Sequence, residues 1–290
     1  MLSRKQRILM KRSFIITGLI LVISAGLNSA AFAQQFRVYT EVTIPPENPQ
    51  PGKMKGTVVA QSLTLFHAGR VFDWLKTAGE VTILEEAHER FIIFNGRKLI
   101  ATTVDFKEIE RLLAAARDET SNHAERLLTR DDRDAHAIAT SLQFQLNPSF
   151  KHSFEQSSLF LDLNSPKLQY HVNCGTTPIP EAVNAYMKYA DWTAKLNHVM
   201  DPRSLYPASR LKLNESLRKH KVLPVKVHVK VEFEQPMILQ ADHRFAWQLE
   251  KIDRESIQFW EQKLKDPALK WMNFRGYQKA ILKQTVQAAR

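Results

Sequence analysis

Glycine is scarce in this chain of 290 residues: there are nine, and Gly175 is the only one between positions 97 and 275. No G-x-G-x-x-G and no G-x-x-x-x-G-K-[ST] occurs, so the common phosphate-cradling loops, which need glycine where the backbone closes on a phosphate, are excluded. No G-x-S-x-G nucleophile elbow occurs either. Cys174 is the only cysteine. An internal disulfide is therefore impossible, and the fold must hold by its core. Cys174 follows Leu168, Tyr170 and Val172 at a period of two, which turns it inward with them as a buried structural thiol. His171 beside it has no second ligand pair to complete a zinc site. His88-Glu89 opens like the H-E-x-x-H zinc helix, but Ile92 stands where the second histidine belongs. The sequence implies no cofactor.

Long apolar runs are also missing. The greasiest segment, Phe14 to about Leu27, is diluted by Thr17, Gly18, Ser24 and Gly26 and broken by Asn28. Before it stand Arg4, Lys5, Arg7, Lys11 and Arg12 with no acid, and after it come Ala31, Phe32 and Ala33. A positive start, a short apolar stretch and an A-x-A site together describe a secretory signal peptide cut after Ala33. The rival reading is an uncleaved anchor, which needs ~20 clean apolar residues to span a bilayer. The expected location is the periplasm or the outside, with membrane contact only through the leader if it is kept.

Excess charge is small once the leader is set aside. Its five cations reduce 41 basic residues to 36 against 30 acidic ones, and the charge falls from +11 to +6. That suits a protein meeting anionic surfaces and does not call for a nucleic-acid partner. Asp131, Asp132 and Asp134 could ligate a hard cation, but Arg130 and Arg133 interleave with them, and a solvated run is the simpler reading. Lys226, His228 and Lys230 form a basic stripe on one strand face, either solvated or able to touch anionic groups of the envelope.

What is present is β patterning with helices between. The expected divisions are a signal peptide at 1–33 and one α+β domain at 34–290. Within it we read a β-meander at 34–104, a helical insert at 105–142, strands at 143–175, helices at 180–220, strands at 222–250 and C-terminal helices at 253–290. FRVYTEVTI (36–44) alternates as a half-buried strand. Asn95-Gly96, between FIIF and RKLIATTV, predicts a two-residue type I′ hairpin turn, because both central residues must take positive φ. Asp105 with Glu108 makes a D-x-x-E capping pattern before a helix. LPVKVHVKVEF (223–233) puts Val225, Val227, Val229, Val231 and Phe233 on one face, and HRFAWQL (243–249) is the expected partner strand. Asp253 is read as capping one helix, and Asp266-Pro267 as starting the last.

These segments resemble a known arrangement. The opening strand FRVYTEVTI, the meander LFHAGRVFDWL and GEVTILEEAHERFIIF, inserted helices and late closing strands are similar to the periplasmic lipoprotein-carrier fold of the LolA and LolB type. The resemblance implies a curved antiparallel half-barrel covered by helices, with an apolar cavity for acyl chains, and it carries over no functional residue. The helical stretch at 180–220 and the helical C-terminus depart from that pattern. The reading is an exported envelope protein, a non-enzymatic binding module with an apolar pocket for lipid or a lipidated partner. One alternative is a structural or protein-interaction protein of the envelope without a small ligand. A second is a hydrolase with an unfamiliar site, in which several of His67, His171, His243, Asp73 and Glu85 would converge.

Overall fold

The computed structural model describes residues 35–46, 56–234 and 236–288, all in the compact unit Gln34–Arg290. The cleavage motif Ala31, Phe32 and Ala33 lies outside the described residues. Strand β1 (Phe36–Ile44) is the seam of the sheet. It pairs antiparallel with β2 (Thr57–His67) on one side and with β11 (Met237–Ala246) on the other. From β2 a meander continues through β3 (Arg70–Leu75), β4 (Glu80–Glu85), β5 (Arg90–Asn95) and β6 (Ile100–Asp105). A second meander runs from β7 (Lys151–Glu155) through β8 (Phe160–Asn164), β9 (Leu168–Gly175) and β10 (Leu223–Val231) to β11. A short β12 (Lys270–Trp271) adds in parallel to β6. The open, curved sheet has the order β12-β6-β5-β4-β3-β2-β1-β11-β10-β9-β8-β7. Helices α1 (Phe106–Leu128) and α2 (Arg133–Leu146) link the meanders, α3 (Pro180–Met200) and α4 (Ala208–His220) intervene between β9 and β10, and α5 (Lys251–Lys263) and α6 (Phe274–Ala288) follow β11. The fold is therefore α+β, a curved antiparallel sheet with packed helices, as the patterning predicts.

The two sheet faces differ, and the sequence shows why. The inner face meets α1, α3, α4 and α6 in one cluster that includes Phe36, Val38, Phe66, Phe91, Ile109, Met187, Leu213 and Tyr277. Aromatic rings stitch it together: Phe36 stacks on Phe66 at 3.9 Å, and Phe106 on Trp192 at 3.6 Å. The outer face of the first meander is covered too, by α5. Leu65, Phe72, Val81, Ile83, Ile92 and Phe94 bury against Ile257 and Trp260. Strands closed on both faces need apolar residues at every position, which is why FIIF and VTIL read as continuous runs. Among the described residues no helix covers the outer face of the second meander, so its strands alternate. The anchor of α5 is ionic. Arg37 on the outer side of β1 donates to Asp253 at 3.1 Å, and Asp253, only 1 % exposed, also accepts the Glu250 backbone N–H at 2.7 Å.

Several local expectations change. The two-residue turn with both residues at positive φ is Ala68-Gly69 (φ 51 and 73), not Asn95-Gly96. At the latter the loop is four residues long and its last one, Leu99, takes φ 52. The Asn95 carboxamide instead accepts the backbone N–H groups of Arg97 and Lys98, which opens the turn. HRFAWQL does not pair with β10: residues 237–242 do, and residues 240–246 pair with β1, so His243–Ala246 lie against β1 alone. Val225 is 41 % exposed, because the ladder between β10 and β9 shifts register between Pro224 and Lys226. Asp105 occupies the α1 N-cap without a side-chain capping bond, and Asp253 is the third residue of α5 rather than its cap. Asp266-Pro267 starts a turn, and the last helix begins at Phe274. Asp132 caps α2 by accepting the Asp134 N–H at 3.0 Å.

Gly79 closes the β3–β4 turn at φ +64, and a Cβ there would meet the Arg97 side chain at 2.7 Å. Gly79→Ala is expected to lower stability by about 1–2 kcal/mol, the left-handed cost for a non-glycine residue. The check is a urea midpoint shift at unchanged slope.

Candidate ligand site on the inner face

Alternation along β1 turns Phe36, Val38, Thr40 and Val42 inward. Register then sets His243 of β11 and Ser62 of β2 on either side of Thr40, with Phe245 and Thr64 flanking Val38. Asp73 of β3 lies beside Thr64, and Glu80 of β4 lies beside Leu75. A row of polar groups thus crosses the middle of an otherwise apolar surface. From above, α3 adds Tyr186 and Tyr189, α4 adds Arg210 and α6 adds Tyr277.

The bonds divide this row into two ends. At the β3–β4 end, Asp73 accepts the Thr64 hydroxyl at 2.9 Å, with the Tyr189 and Ser62 hydroxyls nearby. Glu80 accepts the Tyr277 hydroxyl at 2.7 Å. Burial raises the pKa of both carboxyls above the ordinary range, and the hydroxyl donors oppose that rise. The Tyr189 phenol is pushed well above its usual value by burial and then by the Asp73 charge.

At the β11 end, His243 is 6 % exposed. Its Nδ1 meets the Thr40 hydroxyl at 2.9 Å, and its Nε2 has no partner. Burial first, and the Arg210 charge second, lower its pKa to about 3. The ring is therefore neutral at physiological pH. Arg210 donates from Nε to Asn214 Oδ1 at 3.0 Å and lies close enough to Tyr186 and Tyr170 for its charge to act on both phenols. Asn214, fully buried, donates to Asp191 at 2.8 Å, and the second Asp191 oxygen accepts Arg218 at 2.6 Å.

The five candidate catalytic groups do not converge. Asp73 and His243 share the inner face but stand three strand spacings apart, about 14 Å at ~4.8 Å each. Glu85 belongs to the outer face, where Arg90 donates to it at 2.7 Å. His67 pairs across to Arg70 on that same outer side. His171 is on the outer side of β9, with its Nδ1 2.6 Å from Asp162. No acid–base–nucleophile set is assembled from them. The stripe of Lys226, His228 and Lys230 shares the outer face of β10, but Lys226 lies 3.4 Å from Asp242 and Lys230 2.6 Å from Glu232. Its positive charge is largely answered within the protein. Half-buried Cys174 is a weak acid, its thiol pushed up to about 12 by burial, and its Sγ lies 3.7 Å from the Val172 carbonyl.

A cavity of about 440 Å³ opens between α4 and the β7–β8 edge, lined by Phe150, His152, Leu163, Lys212 and Lys219 among others. Its lining residue Leu163 belongs to the inner-face core, and the Phe150 ring lies 6.1 Å from that of Tyr170.

Arg210, Tyr186 and Tyr189 were not singled out in the sequence. One signal pointed near them. Thr40 in FRVYTEVTI, Ser62 and Thr64 in QSLTLF and Asp73 in RVFDWL are polar residues at inward-facing strand positions. A scan against family models finds no match, and a search of curated proteins finds no relative.

Proposed function

We propose that this chain is a non-enzymatic binding module of the cell envelope, exported to the periplasm or beyond, that takes a lipid or a lipidated partner against the inner face of its sheet. One observation carries the reading. At the end of the sheet where β1 finishes and β11 starts, the inward residues Val42, Ala60, Leu239 and Ala241 are only half-buried, and Ile44 and Met237 are 43 % and 40 % exposed. The opposite ends of the same strands, at Phe36, Val38 and Phe66, are sealed. The helices thus leave open an apolar wall whose inner limit is the polar row at His243, Thr40 and Ser62. An apolar wall ending in a few polar groups is the usual form of a site for an amphiphile. Among the described residues no helix is long and apolar enough to cross a membrane.

The test is native mass spectrometry of the protein recovered from the cell envelope without refolding. An adduct of lipid mass that is lost on denaturation is expected. A bare polypeptide would move the reading to a partner-binding envelope protein without a small ligand. The same spectrum tests export, since cleavage after Ala33 gives a chain beginning at Gln34.

A further inference from the structure

Among the described residues Arg210 is a cation without a counter-charge: no carboxylate lies within ion-pair distance of it. Its hydrogen-bond chain does reach Asp191, but only through the neutral Asn214 amide, and Arg218 already neutralises that acid. Its other neighbours are the phenols Tyr170 and Tyr186 and the uncharged His243 ring. A half-buried guanidinium whose protein partners are neutral keeps N–H donors free for an incoming anion.

A second observation points the same way. His243 is buried on all but 6 % of its surface, yet its Nε2 is unpartnered. Nδ1 lies 2.9 Å from the Thr40 hydroxyl, and in the tautomer in which Nδ1 accepts that hydroxyl, Nε2 carries the ring hydrogen as a donor with no acceptor. Tyr186 spans the two groups: Arg210 lies close enough for its charge to act on the phenol, and the Tyr186 ring meets the His243 ring edge-on at 6.2 Å. An arginine, a phenol and an imidazole N–H on one face make a donor set for carboxylate or phosphate oxygens. Arg210 is half-buried and so still reachable. The apolar wall of Ala241 and Leu239 continues along β11 from His243.

We propose that Arg210, with Tyr186 and the Nε2 hydrogen of His243, receives the anionic head of an amphiphile, a carboxylate or phosphate group, whose chain lies along the β1–β11 wall. This deepens the binding reading above and rests on it. The ligand class is an acyl chain with a negative end, in contrast to a neutral glyceride or alcohol.

The test compares oleate, oleyl alcohol of the same chain length, and inorganic phosphate, by titration calorimetry on the unmodified protein and on Arg210→Gln and Arg210→Lys. Expected is a preference of about tenfold or more for oleate over the alcohol, the scale of one charge-assisted hydrogen bond. The preference should vanish in Arg210→Gln and largely survive in Arg210→Lys. Equal binding of oleate and alcohol, unchanged in Arg210→Gln, would overturn the head-group assignment and leave the lipid reading intact. Phosphate bound in an Arg210-dependent way with no amphiphile bound would keep an anion receptor, for a soluble anion, and overturn the lipid reading. Binding of none of the three overturns both. The oleate-to-alcohol ratio of the unmodified protein decides the matter even if neither variant folds.

Discussion

Phe36→Ala is expected to remove about 3–5 kcal/mol of unfolding free energy, the range for truncating a fully buried phenylalanine. Phe36 is 0 % exposed, stacks face to face on Phe66 at 3.9 Å and lies 5.9 Å from the Trp247 ring. Its position raises the stakes beyond the cavity. β1 is the strand through which the two meanders hydrogen-bond, and Phe36 is its first residue. A loosened seam exposes both meander edges at once, so the loss should appear as one transition and not as two. Tyr39→Ala, on the outer face of the same strand, is the control. Tyr39 is half-buried beneath Arg244, whose guanidinium sits 4.5 Å from its ring centroid. It should cost about 1 kcal/mol or less beyond its area, the scale of a partly exposed cation–π contact. Urea unfolding followed by near- and far-ultraviolet circular dichroism measures both. A Phe36→Ala loss under about 1 kcal/mol would contradict the packing role assigned here.

The strand pattern is where the chain is most legible, and the reason is physical. β1 and β10 have one solvated face, so their alternation in FRVYTEVTI and VKVHVKV is clean. In β4 and β5 both faces are buried, Ile92 and Phe94 under α5 and Phe91 and Ile93 under the inner helices. The strands can be recognised as apolar runs, but the existence of a second covered face cannot be read from them. Turn chemistry misleads for a related reason. Asn95-Gly96 has the residue preferences of a type I′ turn, yet the Asn95 side chain captures two backbone N–H groups and the left-handed residue becomes Leu99. The inner polar row was half legible. Thr40, Ser62, Thr64 and Asp73 interrupt apolar positions at the inward phase, but what faces them comes from α3 and α4, more than a hundred residues away in sequence. Arg210 in ASRLKLNESLRKH looks like one more solvated helix cation until α4 is packed over β9 and β11. The staggered role of β11, pairing β10 over 237–242 and β1 over 240–246, depends on a register that no single strand encodes.

His243 should make the protein lose stability in mild acid. Its folded pKa lies near 3 against a reference value of 6.5, because the ring is buried and Arg210 stands beside it. A base with a depressed folded pKa favours the fold fully above 6.5. That stability is lost as the pH falls through 6.5 toward 3, where the unfolded chain takes a proton that the native state refuses. At pH 5 the loss is about 2 kcal/mol, since each pH unit below the unfolded pKa costs about 1.4. Asp73 and Glu80 act in the opposite sense. Their raised folded pKa values favour the fold at low pH, and that contribution disappears as the pH rises through them. The unmodified protein therefore shows the difference of two opposed terms, and substitution separates them. His243→Phe keeps the ring volume against Tyr186 and Phe245 and removes the titration. It should match the unmodified protein within about 1 kcal/mol at pH 8, the net worth of the Thr40 hydrogen bond. At pH 5 it should gain on the unmodified protein by about 2 kcal/mol. Asp73→Asn removes one opposing carboxyl and should steepen the acid decline. Urea melts of the three proteins at pH 8, 6 and 5 decide it. If His243→Phe and the unmodified protein lose stability in parallel, the acid sensitivity arises elsewhere, and His243 is not held neutral by its burial.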